Sequence, residues 1–115
     1  MEISAHFSDI HTVILGCLGE AKQEIVVAVA WFTDREIFDC LCKKAALGLR
    51  VSIALVGDQI NLGPAGLNLQ RLRDMGGEAL VIPAGSRDAP LMHHKFCVID
   101  QDTVITGSYN WSDKL

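Results

Sequence analysis

Apolar and polar positions divide the chain into segments of two periods. Ile10, Val13, Ile14, Cys17, Leu18 and Ala21 recur at helical spacing and form one apolar stripe. Ser8 and Asp9 are plausible N-caps for that helix, and residues 3–8 before it read as a short strand. Residues 24–32, EIVVAVAWF, are β-branched and apolar without alternation, which predicts a central strand covered on both faces. Thr33-Asp34-Arg35-Glu36 matches a capping box, so a helix should begin at Asp34. Ile37, Phe38, Leu41, Cys42 and Ala45 form its buried side, and Gly48 is a natural C′ residue.

Residues 50–56 repeat the buried-strand pattern, and 57–66, with three glycines and a proline, read as a loop. Leu67, Leu69, Leu72 and Met75 support a short helix stopped by Gly76-Gly77. A strand at 78–82, a loop at 83–90 and two strands at 94–100 and 103–106 complete the order. Gln101-Asp102 leaves room only for a tight turn, so the last two strands form an antiparallel hairpin. Strands separated by helices imply an α/β fold: a mixed, largely parallel sheet with helices on both faces.

Composition narrows the class. The chain has 115 residues, 50% of them apolar and 21% charged, which suits one folded domain and excludes a disordered tail. Ten Lys and Arg face fourteen Asp and Glu, a net charge of −4, so a polyanion must be gripped at a focused site. The longest apolar run covers residues 25–32, while a bilayer-spanning helix needs about 18 or more, so no transmembrane segment is expected. The opening MEISAHFSDI has neither the basic nor the apolar region of a signal peptide. Cys17, Cys40, Cys42 and Cys97 lack the spacing of a zinc or thioredoxin-type site. They read as reduced, buried thiols, which fits a cytoplasmic location.

The chemistry concentrates in residues 92–112, MHHKFCVIDQDTVITGSYNWS. On a strand, His93, Lys95, Cys97 and Ile99 share one face, while His94, Phe96, Val98 and Asp100 share the other. His93 and Lys95 then stand about 7 Å apart along the strand. Pairing across the hairpin can bring Ser108 and Asn110 near them. An imidazole can attack phosphorus or donate a proton, and a lysine supplies fixed positive charge for a phosphoryl oxygen. A serine hydroxyl and an asparagine amide supply neutral donors, and Gly107 lets the backbone approach closely. No carboxylate cluster gathers here for Mg²⁺, so the set suits a phosphodiester held without metal or other cofactor. A His-x-Lys pair alone on a strand would be solvated surface; the joined set is not.

His93-x-Lys95-x₄-Asp100-x₆-Gly107-Ser108, with Asn110 next, resembles the HKD signature of the phospholipase D superfamily. Six residue types at fixed spacing arise by chance in roughly one chain in 10⁵. FSDI, AVAWFTDREI and residues 50–56 extend the resemblance to the single-motif branch, that of a small bacterial endonuclease and a mitochondrial cardiolipin hydrolase. The resemblance implies a phospholipase D-like fold with His93, Lys95 and Asp100 as the catalytic signature. His93 would be the nucleophile of a phosphohistidine intermediate, and Lys95, Ser108 and Asn110 would bind the phosphate. Asp100 faces away from His93, which fits a structural or orienting role better than phosphate contact. The family needs two such motifs per site, so a single-motif chain should form a C2 homodimer with a shared active site. Relatives continue past the equivalent of Leu115, so residues 1–115 are expected to be one domain lacking its C-terminal elements.

The remaining candidates carry weaker patterns. His94, His6 and His11 read as structural or exposed, and Trp31 and Phe32 as core with a lesser possibility of lining the cleft. Trp111 should pack beside the phosphate-binding turn. Lys43, Lys44 and Arg50 suit a solvated helix end, and Arg71, Arg73 and Arg87 are better placed to meet nucleic acid. Three functions follow: a nuclease on DNA or RNA, a phospholipid phosphodiesterase of the cardiolipin type, and a non-catalytic dimerisation or phosphate-binding module. The first agrees best, because no amphipathic helix or basic patch for a bilayer is visible.

Overall fold

The computed structural model describes residues 10–57, 59–63, 66–83 and 95–107. The strand expected at 3–8, the caps Ser8 and Asp9, and the loop at 84–90 fall outside them. The elements in chain order are α1 (Ile10–Gly19), β1 (Glu24–Ala28), α2 (Arg35–Ala46), β2 (Arg50–Gly57), α3 (Gln59–Leu62), α4 (Leu69–Asp74), β3 (Glu78–Pro83), β4 (Lys95–Ile99) and β5 (Thr103–Gly107). The five strands form one sheet in the order β3-β2-β1-β4-β5. β1–β2 and β2–β3 are parallel, while β1–β4 and β4–β5 are antiparallel. The sheet is mixed as the sequence implies, with the two kinds of pairing evenly shared rather than parallel pairing in the majority.

Register explains where the core sits. Ile25 faces Val51 and Ile99, and Val27 faces Ile53 and Cys97, so all these side chains emerge on one face. There they meet Ile14 and Leu18 of α1, Ile37, Leu41 and Cys42 of α2, and Leu69 and Leu72 of α4, in one buried cluster. Phe32 joins it edge to face with Phe38, ring centroids 6.1 Å apart. The opposite face carries Val26, Ala28, Ser52 and Ala54, only partly buried, and Leu80, Phe96 and Val104, exposed. Among the described residues α1, α2 and α4 lie on one face, so the expected cover on both faces is found on one. An apolar run without alternation hides that asymmetry; the difference lies in side-chain size, larger on the covered face of β1.

The helix ends follow local chemistry. Asp34, not Thr33, caps α2: its carboxylate accepts from the Ile37 N–H at 3.0 Å, so the helix starts one residue later than the capping-box reading. At the other end Gly48 takes φ +98°, its N–H donates to Ala45 at 3.0 Å, and the Leu49 N–H donates to Lys44 at 3.2 Å. Gly76, at φ +94°, repeats this Schellman pattern after α4, with N–H bonds from Gly76 to Arg73 and from Gly77 to Leu72.

Two connections differ from the sequence expectation. Within 57–66 a short helix, α3, presents Asn61, which is 2% exposed. Its side-chain oxygen accepts from the Phe32 N–H at 2.9 Å, and its amide donates to Ala30 at 2.6 Å and Val56 at 2.5 Å. Gly66 closes against this turn, where a Cβ would overlap the Asn61 carbonyl. The hairpin turn is centred on Asp100 and Gln101, at φ +53° and +63°, one residue earlier than Gln101-Asp102. Aspartate tolerates that left-handed backbone better than most residues. The Asp100 carboxylate accepts N–H bonds from Lys22 at 2.9 Å, Gln23 at 2.7 Å and Glu24 at 3.0 Å.

Two outcomes test these contacts. The bonds from Glu24, Lys22 and Gln23 hold the Asp100 carboxyl below the ordinary carboxylate range. Their stabilisation is therefore complete above the unfolded value, about pH 4, and is lost as pH falls through the folded one. Thermal melts at neutral pH should rank the parent above Asp100→Asn and that above Asp100→Ala, with the parent falling to the Asp100→Asn level in acid. Asn61→Ala should cost about 2–3 kcal/mol in urea unfolding, because it strands buried backbone groups. Asn61→Asp still accepts from Phe32 but aims a carboxylate at two carbonyl oxygens, so its cost should be larger at neutral pH and shrink in acid.

Candidate active site

β4 opens with Lys95, and its antiparallel pairing puts that end of the strand at the C-terminal ends of β1 and β2. Ala28 faces Phe96, so Lys95 lies level with Val29, one step further. Its side chain leaves on the face of Cys97 and Ile99, the one covered by helices. Crevices at the C-terminal ends of strands are the usual binding sites of open α/β sheets. Across the hairpin Lys95 pairs with Gly107, so β5 ends beside Lys95. His93, Ser108 and Asn110 fall outside the described residues, as do His6, His94, Arg87 and Trp111.

Cys97, two residues along the same face, is fully buried, and burial with Cys17 nearby pushes its thiol up to about 12. A thiol so hard to ionise is no nucleophile. Burial likewise raises Cys40 and Cys42, and all four cysteines are free thiols.

Asp100 requires a correction to its place in the catalytic signature. It sits at the other end of β4, five residues from Lys95 and about 16 Å away along an extended strand. Its carboxylate is taken up by the N–H groups of Lys22, Gln23 and Glu24 at the start of β1. It therefore fixes the sheet and does not meet a phosphate held at Lys95. Part of this was readable, since Asp100 and His93 have opposite strand parity.

The edge that carries Lys95 has other residents. The segment after β1 keeps its pairing with β2 through Val29 to Ala54 and Val56 to Ala30, both backbone bonds. Phe32 is buried there as expected, whereas Trp31 is 40% exposed, contrary to its reading as core. The reason is local: the chain bends at Ala30, and Asn61 holds Ala30 and Phe32 from the inside, which leaves Trp31 facing out. His11 also lies at this edge, its Nε2 2.9 Å from Asp34 and 3.4 Å from Glu36. It fastens the first turn of α1 to the start of α2, the structural role its sequence context suggested. Asn61 was missed by sequence reasoning; the signal available was a single amide between Ile60 and Leu62 in an otherwise Gly- and Pro-rich loop.

Two of the three basic residues proposed for nucleic acid, Arg71 and Arg73, lie elsewhere. Arg71 and Arg73 end α4, which leads through Gly76 and Gly77 into the start of β3, at the opposite edge. Arg71 is ion-paired with Asp39, and that bond holds its guanidinium in the charged form more firmly. Arg73 donates to the Ala79 carbonyl at 2.9 Å. Lys44 donates to Gly19 at 2.8 Å and Ala21 at 2.9 Å, and Arg50 stands 3.8 Å from Glu24.

Comparison with known proteins places this architecture. Residues 14–114 match the family described as cardiolipin synthase, PLD-like domain. A mitochondrial cardiolipin hydrolase from Chlamydomonas reinhardtii is 30% identical over 85% of this chain. Human protein FAM83B is 27% identical over 93% of it. The chain spans 41% and 12% of the lengths of these two relatives. Among solved structures, the phospholipase D family member Nuc from Salmonella typhimurium superposes with a TM-score of 0.75 at 24% identity, covering 90% of this chain and 65% of that one. NucT from Helicobacter pylori superposes with a TM-score of 0.66 at 22% identity, covering 90% and 68%. These two are likenesses of fold, and the mixed five-stranded sheet of the present chain agrees with them. With the family match running almost from end to end, the chain belongs to the phospholipase D superfamily as a PLD-like domain.

Proposed function

We propose that the chain is a metal-independent phosphodiesterase, most closely a nuclease on DNA or RNA, that works as a homodimer. The observation that carries this reading is the pairing of Lys95 with Gly107 at the C-terminal edge of the sheet. Lys95 and Gly107 are therefore cross-strand neighbours, and in the proposed site His93, two residues before the one, and Ser108 and Asn110, just after the other, meet at that edge. Lys95, Ser108 and Asn110 then bind the non-bridging phosphate oxygens. The His93 imidazole attacks phosphorus and forms a P–N bond as the P–O bond to the leaving group breaks. His93 of a second copy, across a twofold axis, donates the proton that the leaving oxygen takes up. Water then cleaves the P–N bond, returning its proton to that second imidazole. Fixed positive charge and neutral donors aimed at the phosphoryl oxygens supply the transition-state stabilisation. A phospholipid is the alternative substrate, supported by the sequence match to a protein named mitochondrial cardiolipin hydrolase.

The reading predicts cleavage of single-stranded DNA or RNA that is unaffected by EDTA. His93→Ala should lower the rate by at least about 10³-fold, and Lys95→Met should raise KM and lower kcat together. Protein quenched in denaturant at neutral or alkaline pH during turnover of a DNA substrate should carry the phosphoryl half of that substrate on His93 by mass spectrometry, and active protein should sediment as a dimer. Loss of activity in EDTA, or full activity in His93→Ala, would overturn it.

A further inference from the structure

The ladder between β1 and β2 loses step at its C-terminal end. Ala28 faces Ala54, and the Val29 N–H donates to the Ala54 carbonyl at 3.1 Å, the regular rung for a residue opposite Leu55. The next rung of a regular parallel pair would run from the Val56 N–H to the Val29 carbonyl. It runs instead to the Ala30 carbonyl, at 3.2 Å. Val29 and Ala30 therefore share the place of one residue, which makes a β-bulge, a feature rare in parallel pairs. Burial shows the same slip. Ile25, Val27 and Val29 are buried at every second position, and beyond the bulge the core takes Phe32 while Trp31 turns outward.

Asn61 holds this bulge. Its amide nitrogen donates to the carbonyls of Ala30, the extra residue, and of Val56, across the ladder, at 2.6 and 2.5 Å. Its oxygen accepts from the Phe32 N–H at 2.9 Å, just past the slip. A buried side-chain amide thus takes over pairing that a regular rung would have supplied. On its other side β1 meets β4. Val29 keeps its regular rung, so the step from the Ala28–Phe96 pair to Val29 and Lys95 is made on unbroken strand. The Asp100 N–H donates to the Glu24 carbonyl, which makes those two a hydrogen-bonded pair. Counting along the register makes Val29 and Lys95 a non-hydrogen-bonded pair, whose Cα atoms approach to about 4.5 Å. Both side chains point to the covered face, so Lys95 leaves the sheet beside the first residue of the bulge.

We propose that Asn61 is a positioning residue for Lys95: by fixing the bulge it sets how the end of β1 lies against β4, and so where the ammonium is held. This rests on the phosphodiesterase reading above, in which Lys95 binds the phosphate. Without the amide, the Val56 N–H is free to return to the Val29 carbonyl, and the regular ladder so formed competes with the bulged one. The two ladders differ by one residue in the path of β1, and Lys95 then samples two placements. A displacement of about 1 Å at a group that binds the reacting phosphate can cost up to about 10²-fold in rate.

The test is a double-mutant cycle on the full chain, at a temperature where circular dichroism shows every variant folded. With single-stranded DNA as substrate, Asn61→Ala should lower kcat/KM about tenfold, raising KM and lowering kcat together as Lys95→Met does. Asn61→Ser, whose hydroxyl replaces part of the amide's bonding, should lower it about threefold, and it carries the cycle if Asn61→Ala does not fold. In a Lys95→Met background neither change should cost more than about twofold, because the group they position is gone. A purely structural Asn61 would give equal losses in both backgrounds. A second readout needs no turnover. In proton–nitrogen correlation spectra the amide signals of Val29, Lys95 and Gly107 should move or split in Asn61→Ser, while those of Asp100 and Thr103, at the far end of the hairpin, stay. Equal losses in both backgrounds, or a Lys95 amide unmoved in Asn61→Ser, overturns the inference. The spectra decide alone where the parent or Lys95→Met cleaves nothing. Moved Lys95 signals in a parent without turnover leave the positioning role standing and remove the phosphodiesterase reading.

Discussion

The bond set around Asp100 is the constraint from which the rest of the arrangement follows. β1 is paired on its other side with β2, running parallel. β4 must run the opposite way beside it, and nothing in two apolar strands of alternating burial forbids a slip of two residues along the same face. Asp100 removes that freedom. Its carboxylate meets three successive N–H groups at the start of β1, and its own N–H donates to the Glu24 carbonyl at 2.9 Å. A slip in either direction would leave a carboxylate without its donors, as well as unpaired backbone at a strand end. The same residue adopts the left-handed backbone that turns β4 into β5, so one side chain fixes the register of three strands.

That single registration separates two jobs along five residues of β4. The end near Asp100 is committed to holding the sheet, with bonds already satisfied within the fold. The end at Lys95 opens on the C-terminal edge, where Gly107 brings β5 alongside. A signature that looks like one motif in the sequence is therefore two devices joined by a strand. The intervening Cys97 and Ile99 are buried and chemically silent. Their role is to make the strand stiff and dry enough that Asp100 can set the position of Lys95 from the far end.

Much of this was legible because it rests on local rules. Helical spacing gave α1 and α2, and glycines with no alternative at positive φ marked the ends of α2 and α4. Strand parity alone sets Asp100 apart from His93. What escaped the sequence depended on partners distant in the chain. Thr33 and Asp34 are both competent caps, and only the path from β1 into α2 decides between them. The apolar run at 24–32 cannot say which face the helices take. Asn61 looks like an ordinary loop residue until three backbone groups, two of them about thirty residues away, turn out to need it. Trp31 was misread as core for the same reason, since its exposure is imposed by Asn61 and not by its own hydrophobicity. His93, Ser108 and Asn110 were named by spacing alone.

Electrostatics sharpens what kind of recognition such an edge can support. A net charge of −4 provides no long-range attraction for a polyanion. Several of the cations the chain does have are spent inside the fold. Lys44 ties the end of α1, Arg73 ties α4 to β3, and Arg71 is neutralised by Asp39. All three lie toward the Asp100 edge, so they neither steer a ligand to Lys95 nor compete with it for one. On the proposed function, the Lys95 edge would depend on short-range contacts, a directed ammonium and neutral donors. Neutral donors discriminate by geometry more than by charge and lose little when salt rises, whereas the ammonium contact keeps its salt dependence. A binding site of this type would gain most from duplication, because a second copy doubles the cationic groups at one phosphate without making the rest of the surface basic. On the proposed function, the acidic balance and a twofold assembly would be parts of one solution, with affinity confined to the shared site.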